Sequence, residues 1–188
     1  EARTGDGWRL GLLVLAGSVP TAIIGLALSG VFESLNTPLP VAIALAVTGV
    51  ILWFAPKSGP KHTVRQVTFK DAFIGGVVQG VAVIPGISRS GSTISALLGR
   101  GLDKELAPKL SFLMYLVVSF GVALLGIREF DGAIGVPQLL VMTAASFAVG
   151  YGALLLVFSL LRRGQFRAFS PYLWALSAFT LIHLFVTR

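Results

Sequence analysis

A short polar segment inside an apolar region carries the side chains best suited to chemistry. Residues 79–93 read QGVAVIPGISRSGST, and Arg89 is the one Lys or Arg of the chain that lies inside an apolar region. A guanidinium presents a planar fork of five N–H donors, which suits bidentate contact with a phosphate group. Four hydroxyl side chains lie around it in the sequence: Ser88, Ser90, Ser92 and Thr93.

The sequence on either side predicts a hairpin of two half-helices. The apolar segments Ala72–Ile84 and Ile94–Leu98 are each too short to cross a bilayer, which takes about 20 residues of helix. A re-entrant hairpin of this kind is tolerated in a membrane only where protein buries it or where it lines a wet cavity. A charged Arg at that depth costs a few kcal/mol, so we expect it to have an anionic partner.

The residue types at the hairpin tip predict where the two half-helices end and begin. Pro85 lacks an N–H, and Gly86 and Gly91 permit turns that other residues resist. We therefore expect the first helix to stop at Pro85 and the second to start near Ser92. The free N–H groups near 91–93 would then lie at the positive end of the helix dipole, which is suited to binding phosphate.

Two other interpretations of this segment remain. Arg89 could extend toward the interface while the Ser side chains satisfy broken backbone bonds, but polar residues at every second position do not fit a helix stripe. Gln79 could face the loop or could form an interhelical hydrogen bond. The Gly76–Gly80 spacing predicts close packing of the first half-helix.

Composition places the chain among helical membrane proteins. It has 188 residues, of which 55% are hydrophobic and 12% charged, whereas soluble domains average about 25% charged. The mean hydropathy is +0.86. The net charge of +7 comes from short loops between apolar spans, which argues against a nucleic-acid interface. The absence of Cys excludes disulfides and Cys-ligated metals.

Five full spans are predicted around the hairpin. Pro20 should kink the first span, Gly30–Pro40 should be a loop, and Pro108 suits the first turn of a helix. Many small residues in the fourth span predict close helix packing. The spans are Leu10–Leu28, Val41–Ala55, Leu110–Ile127, Gln138–Leu161 and Tyr172–Val186.

The distribution of basic residues predicts the topology. Loops 1–9, 57–70, 100–109 and 162–167 hold twelve of the 15 Lys and Arg residues, against Arg128 and Arg188 on the other side. The positive-inside rule places the richer loops in the cytoplasm. The hairpin must then enter and leave on the cytoplasmic side. Loop 57–70 could alternatively bind lipid head groups.

The signature segment closely resembles one known family, the undecaprenyl-diphosphate phosphatase (bacitracin-resistance) family. The stretch PGISRSGST, with Gln79 before it and LSFLM at Leu110–Met114 after it, is similar to that family's second signature, Pro-Gly-x-Ser-Arg-Ser-Gly-x-Thr. The resemblance extends over about Arg9 to Val186. The matching signature positions are Pro85, Gly86, Ser88, Arg89, Ser90, Gly91 and Thr93.

The resemblance implies a multi-pass enzyme of the bacterial inner (plasma) membrane. Such an enzyme hydrolyses undecaprenyl diphosphate to undecaprenyl phosphate plus phosphate, which recycles the lipid carrier of cell-wall synthesis. By that pattern Ser88, Arg89 and Thr93 are catalytic, with Ser88 or a water as the nucleophile. The residues implied to bind substrate are Gln79, Gly86, Ser88, Arg89, Ser90, Gly91, Ser92 and Thr93.

The implied fold is a helical bundle of two inverted repeats in one membrane domain, 1–188. Residues 10–56 would be the last two spans of a truncated first repeat, and 71–188 the second repeat, with its re-entrant hairpin at 72–98 and three spans. The family's first, Glu-rich signature with its His does not occur in the chain. We expect the ligands of a divalent cation (Mg or Ca) to lie in such an upstream segment, and the chain alone to be inactive without it.

Two other function classes share these features. Re-entrant hairpins also occur in membrane transporters, and a non-catalytic binder of lipid diphosphate would need the same anion site. The partners expected are a polyprenyl diphosphate and membrane lipids, with no nucleic acid and with a homodimer as an alternative to a monomer. No acidic pair for a metal lies within any span, and neither His62 nor His183 is assigned as a catalytic base.

Overall fold

The protein is a bundle of α-helices. The computed structural model describes residues 4–127, 135–162 and 166–186, and this part of the chain contains helices and turns but no strand. Four helical segments are long and apolar enough to cross a membrane, so the prediction of an all-α polytopic membrane protein is confirmed. The helices are α1 Thr4–Ala27, α2 Ser29–Ser34, α3 Pro38–Phe54, α4 Phe69–Val81, α5 Arg89–Gly99, α6 Leu106–Ile127, α7 Val136–Arg162 and α8 Phe169–Val186.

The predicted spans correspond to α1, α3, α6, α7 and α8, with differences at their ends. Pro38 opens α3 and Pro108 lies in the first turn of α6, where a missing N–H costs no hydrogen bond. The expectation of a loop over Gly30–Pro40 is wrong except at residues 35–37, because α2 covers its first half and α3 starts at Pro38. Helix α2 continues from α1, because the N–H of Phe32 donates to the Leu28 carbonyl at 2.9 Å and the Phe32 ring is buried.

Helices α1 and α4 pack at backbone distance. A Cβ atom added at Gly76 would collide with the Gly17 carbonyl, and one at Gly80 would lie 2.9 Å from Ile24. The Thr21 hydroxyl lies 2.8 Å from the Gly76 carbonyl across the same contact. The close packing predicted from Gly76 and Gly80 is therefore confirmed, and it holds the first half-helix firmly against α1.

The two ends of the hairpin meet at a single buried carboxylate. Asp71, in the first turn of α4, accepts hydrogen bonds from Lys61 Nζ at 2.6 Å and from Arg100 Nε at 2.9 Å, and its side chain has no exposed surface. Arg100 follows the last residue of α5. The helices α4 and α5 thus form an antiparallel pair whose outer ends lie together, with the connection 82–88 at the opposite end.

The loops predicted to be cytoplasmic also converge on this end of the bundle. Arg9 donates to the Val67 carbonyl at 2.9 Å, and Arg65 Nε lies 2.6 Å from an Asp6 carboxylate oxygen. Phe166 belongs to the same buried cluster as residues of α3 and α5. Four charges of the topological count, Arg3, Arg128, Arg163 and Arg188, lie outside the described residues.

The location of this end relative to the membrane is open to a labelling test. We expect cysteines at the exposed positions Lys70 and Glu105 to resist an impermeant thiol reagent applied to intact cells, because both flank the hairpin on the cytoplasmic side. A cysteine at Val136, which is 69% exposed, is the matched control and should be labelled. Labelling at only one of the first two positions would show that the segment crosses the membrane, against the re-entrant prediction.

Helix α7 departs from expectation. Its small residues predict close packing, yet a Cβ at Gly150 or Gly152 would meet nothing within 4 Å. Residues 136–156 are exposed, and the helix contacts the described bundle near its end, where the Phe158 ring centroid lies 5.5 Å from that of Phe112. Within the described chain the prediction is wrong, because small side chains permit a close approach but do not supply a partner.

Candidate functional site

The tip of the hairpin turns at Gly86. This residue has φ +91°, and an added Cβ would lie 2.6 Å from the Val41 carbonyl of α3, so a side chain is excluded by both backbone conformation and space. Thr48 of α3 fixes the turn, because its hydroxyl lies 3.1 Å from the Gly86 carbonyl and accepts a hydrogen bond from the Ser88 N–H at 3.1 Å. The turn predicted at Gly86 is confirmed.

The ends of the half-helices differ from prediction by three or four residues. Helix α4 ends at Val81 rather than Pro85, because the next N–H groups bond three residues back, as in Ile84 N–H to the Val81 carbonyl at 3.2 Å. Helix α5 starts at Arg89 rather than near Ser92, because the extended Ser88 is its N-cap.

The cap changes which backbone groups can meet an anion. The Ser88 hydroxyl accepts a hydrogen bond from the Gly91 N–H at 3.2 Å. In the described chain, the first-turn N–H groups left without an acceptor are those of Arg89 and Ser90, not those of residues 91–93. Gly91 lies inside the helix, so its expected role in a turn is wrong. It is needed for space, because an added Cβ would lie 2.8 Å from Ser88 Oγ.

Arg89 is the central cation of the tip. Its guanidinium carbon lies 5.0 Å from the ring centroid of Tyr115 on α6, within cation–π range. Its Nε is buried and has no hydrogen-bond partner. Among the described residues no carboxylate lies within ion-pair distance of Arg89. An aromatic face therefore orients the guanidinium while its charge stays uncompensated.

A cavity of about 370 Å³ lies beside this guanidinium and is lined by both polar and apolar side chains. Four of the predicted site residues line it: Gln79, Gly86, Arg89 and Ser90. Gln79 is 1% exposed, and its Nε2 has no partner in the described chain. A buried amide left without a partner is costly unless a ligand or water satisfies it. Gln79 therefore faces the loop and forms no interhelical hydrogen bond through this nitrogen.

The remaining predicted site residues do not line the cavity. Ser88 caps α5, and the Thr93 hydroxyl donates to the Arg89 carbonyl at 2.8 Å. Ser92 is buried within the bundle, with its Oγ lacking a described partner. The predicted sequence cluster is thus divided into residues at the cavity and residues that support the helix behind it.

The structure adds residues that sequence reasoning missed. Ser111, Phe112 and Tyr115 of α6 line the cavity, and Thr48 of α3 holds the tip. Ser111 lies within the LSFLM stretch and Tyr115 directly follows it. The two residues are four positions apart and so share one helix face, and this spacing could have indicated that both face the hairpin. Thr48 is a lone hydroxyl in an apolar span, which gives no indication of its partner.

Comparison with known proteins identifies the family to which this architecture belongs. The family described as "Bacitracin resistance protein BacA" matches residues 1–179. The chain is 59% identical over 182 residues to an undecaprenyl-diphosphatase of Acaryochloris marina, covering 96% of this chain and 68% of that protein. The chain belongs to the BacA family. Undecaprenyl-diphosphatases of Carboxydothermus hydrogenoformans and Desulforapulum autotrophicum are each 40% identical, covering 93% and 95% of this chain and 70% and 66% of theirs.

This BacA-family chain does not offer a metal site in its described part. Residues 4–127, 135–162 and 166–186 contain no group of three or more His, Cys, Asp or Glu side chains that could hold an ion. The donors at the tip are a guanidinium, an amide and hydroxyls, which suit an anion rather than a cation. The described residues therefore supply no set of ligands for a divalent cation, and the cation with upstream ligands stays a prediction.

Neither histidine of this BacA-family chain lies at the tip. His62 Nδ1 lies 2.9 Å from an Asp103 carboxylate oxygen, next to the start of α6 and the outer ends of the hairpin. The His183 ring stacks on Phe179 of α8 with centroids 6.4 Å apart. Neither contact places a histidine ring beside Arg89. The inverted-repeat organisation stays a prediction.

Proposed function

We propose that this protein hydrolyses undecaprenyl diphosphate to undecaprenyl phosphate and inorganic phosphate in the bacterial inner membrane. The observation that carries the proposal is Arg89, a cation with no described carboxylate partner that lines a cavity at a helix N-terminus. Such a site is suited to a diphosphate. The relatives named undecaprenyl-diphosphatase support the same substrate. The reaction would recycle the lipid carrier of cell-wall synthesis.

The binding roles follow from the donors that remain unused. The guanidinium of Arg89 would donate hydrogen bonds to two oxygens of the terminal phosphate. The backbone N–H groups of Arg89 and Ser90 would donate to its third oxygen. Gln79 Nε2 would donate to the inner phosphate, which satisfies a buried nitrogen that otherwise has no partner. Negative charge spreads over these oxygens in the transition state, so fixed donors of this kind stabilise it.

We propose a water molecule, rather than Ser88, as the nucleophile. Its oxygen attacks the terminal phosphorus, the bridging P–O bond breaks, and undecaprenyl phosphate leaves while the proton of the water passes to solvent or product. Ser88 is less suited to this role, because its oxygen caps α5 and its side chain does not line the cavity. Thr93 would act behind the site, holding the Arg89 carbonyl and with it the first turn of the helix.

The role of Ser88 is tested by comparing two replacements in the full-length protein. Asn caps a helix about as well as Ser but cannot form a phosphoester, whereas Ala removes the cap at a cost of about 1 kcal/mol. We expect Ser88→Asn to keep the rate of phosphate release within about tenfold of the wild-type rate, and Ser88→Ala to lower thermal stability further. Inactivity of Ser88→Asn together with a phosphoserine trapped in the wild-type protein would instead identify Ser88 as the nucleophile.

The proposed function itself is tested by mixing purified full-length protein with undecaprenyl diphosphate in detergent and measuring free phosphate. We expect catalytic release by the wild-type protein and its loss in Arg89→Ala. Saturable binding of the lipid without release would favour a non-catalytic binder of lipid diphosphate. Movement of intact lipid diphosphate across vesicle membranes without phosphate release would favour a transporter.

A further inference from the structure

A long apolar groove runs along the outside of the bundle between α1 and α6. Its volume is about 830 Å³, and the side chains that form its walls are mostly aliphatic. The lining residues on α1 extend from Leu15 to Leu26, which is roughly 16 Å at 1.5 Å per residue. The side chains that form most of its wall include Leu15, Val19, Leu26, Val117, Val122 and Leu125.

The groove adjoins the cavity at the hairpin tip. Arg89 and Val83 line both of them, so a ligand that passes Arg89 can continue from one into the other. The charged end of the groove therefore coincides with the anion site, and the rest of it has no charged lining residue. This arrangement fits a molecule with an anionic head and an apolar tail.

The two hydroxyls in the groove do not change its apolar character. Ser18 lies 2.8 Å from the Val14 carbonyl and Thr21 lies 2.8 Å from the Gly76 carbonyl, so each hydroxyl proton has a protein acceptor. Both side chains are at most 5% exposed. An apolar chain lying over them would leave no polar group without a partner.

We propose that the groove between α1 and α6 binds the first isoprene units of the polyprenyl chain while the diphosphate lies at Arg89. The inference rests on the proposed function for its head group, and it adds a site for the tail. The remainder of a long chain would extend beyond the groove into the membrane. Contact with the first units would fix the direction from which the terminal phosphate faces the site.

Two glycines allow the groove to be filled without disturbing the protein. Gly25 and Gly121 line it, and a Cβ at either would meet nothing within 4 Å. Gly126 is the matched control, because it lies on α6, has the same free space around it and does not line the groove. A leucine at the first two positions would occupy the space of the tail. A leucine at the control position would face away from it.

The kinetic test measures phosphate release from undecaprenyl diphosphate by the full-length variants. Each displaced methylene contact is worth about fourfold in affinity, so we expect Gly25→Leu and Gly121→Leu to raise KM at least about tenfold. A tenfold change corresponds to about 1.4 kcal/mol. We expect kcat to stay within about threefold, and Gly126→Leu to match the wild-type protein. Equal kinetics for Gly121→Leu and Gly126→Leu would overturn the proposal.

A second measurement separates the groove from the chemistry. A polyprenyl diphosphate with a diazirine on its second isoprene unit should label residues 15–26 or 117–125, and unlabelled undecaprenyl diphosphate should compete. Competition by phospholipid alone would show that a bilayer acyl chain occupies the groove, and labelling elsewhere would show that protein fills it. Labelling at the groove without phosphate release would support the tail site and contradict the proposed hydrolysis. Absence of labelling and of phosphate release would contradict both proposals.

Discussion

Replacement of Arg89 by lysine is expected to lower kcat/KM for undecaprenyl diphosphate at least about a hundredfold, or roughly 2.7 kcal/mol of transition-state stabilisation. An ammonium cannot reproduce a bidentate fork, nor the contact of a planar guanidinium whose carbon lies 5.0 Å from the Tyr115 ring centroid. Arg89→Ala should be similar or worse. Initial rates of phosphate release measure the effect.

The amount of these variants in the membrane should change little. The structure gives Arg89 no carboxylate partner in the described chain, so its removal leaves no buried opposite charge behind. Arg100→Lys at the other end of α5 is a suitable control, because a lysine there can still bond Asp71. A structural role for Arg89 would give the reverse pattern, with near-normal rates for Arg89→Lys and lost accumulation of Arg89→Ala.

Replacement of Asp71 by asparagine is expected to destabilise the fold by about 3 kcal/mol, near the lower end of the range for breaking a buried pair. The value is at the lower end because Lys61 and Arg100 keep 25% and 38% of their side-chain surface exposed, so both cations can turn toward water. Thermal unfolding in detergent measures the loss. The hairpin should open from its outer ends, since Asp71 is the group that joins them.

The same carboxylate should make stability depend on pH. Burial raises the pKa of Asp71, but hydrogen bonds from Lys61, Thr68 and Arg100 outweigh burial and lower it from 3.8 to about 2. A lowered pKa means that the stabilisation is present above about pH 4 and is lost as pH falls toward 2, and its size is about 2 kcal/mol. Asp71→Asn should lack this component of the acid transition.

A matched control for both measurements is Asp6→Asn. Asp6 and Arg65 are also 2.6 Å apart, but their side chains are 33% and 58% exposed, and exposed pairs contribute little. We therefore expect Asp6→Asn to leave the unfolding temperature nearly unchanged. Equal losses for the two asparagine variants would contradict the role given to Asp71.

Composition and periodicity were sufficient for the spans, whereas the anion site around Arg89 stays a prediction. Glycine and proline marked real features at Gly86 and Pro108, because each acts through its own backbone. The limits of α4 and α5 could not be predicted in the same way. They depend on Thr48 of another helix and on the choice of Ser88, among several serines, as the cap.

The residues around Arg89 show a similar division. Arg89 could be identified from the sequence because a charge in an apolar region is costly, and that cost depends only on the neighbouring residues. The ring of Tyr115 and the joining of cavity and groove depend on how α6 lies against the hairpin, and no local pattern records that. Helix α7 shows the opposite case. Its small residues form a local pattern that predicts helix packing, but the described chain contains no helix packed against Gly150 or Gly152.

The single carboxylate at the base of the hairpin also bears on how the protein is made. Helices α4 and α5 have 13 and 11 residues, and insertion machinery that tests one apolar helix at a time needs about 20. Asp71 and Arg100 are 29 residues apart, so the ion pair between them forms only after the whole segment has been synthesised. We therefore expect α4 and α5 to insert into the bilayer only after residue 100 has been translated. In ribosome-stalled chains that stop earlier, these two helices should remain outside the bilayer and accessible to protease.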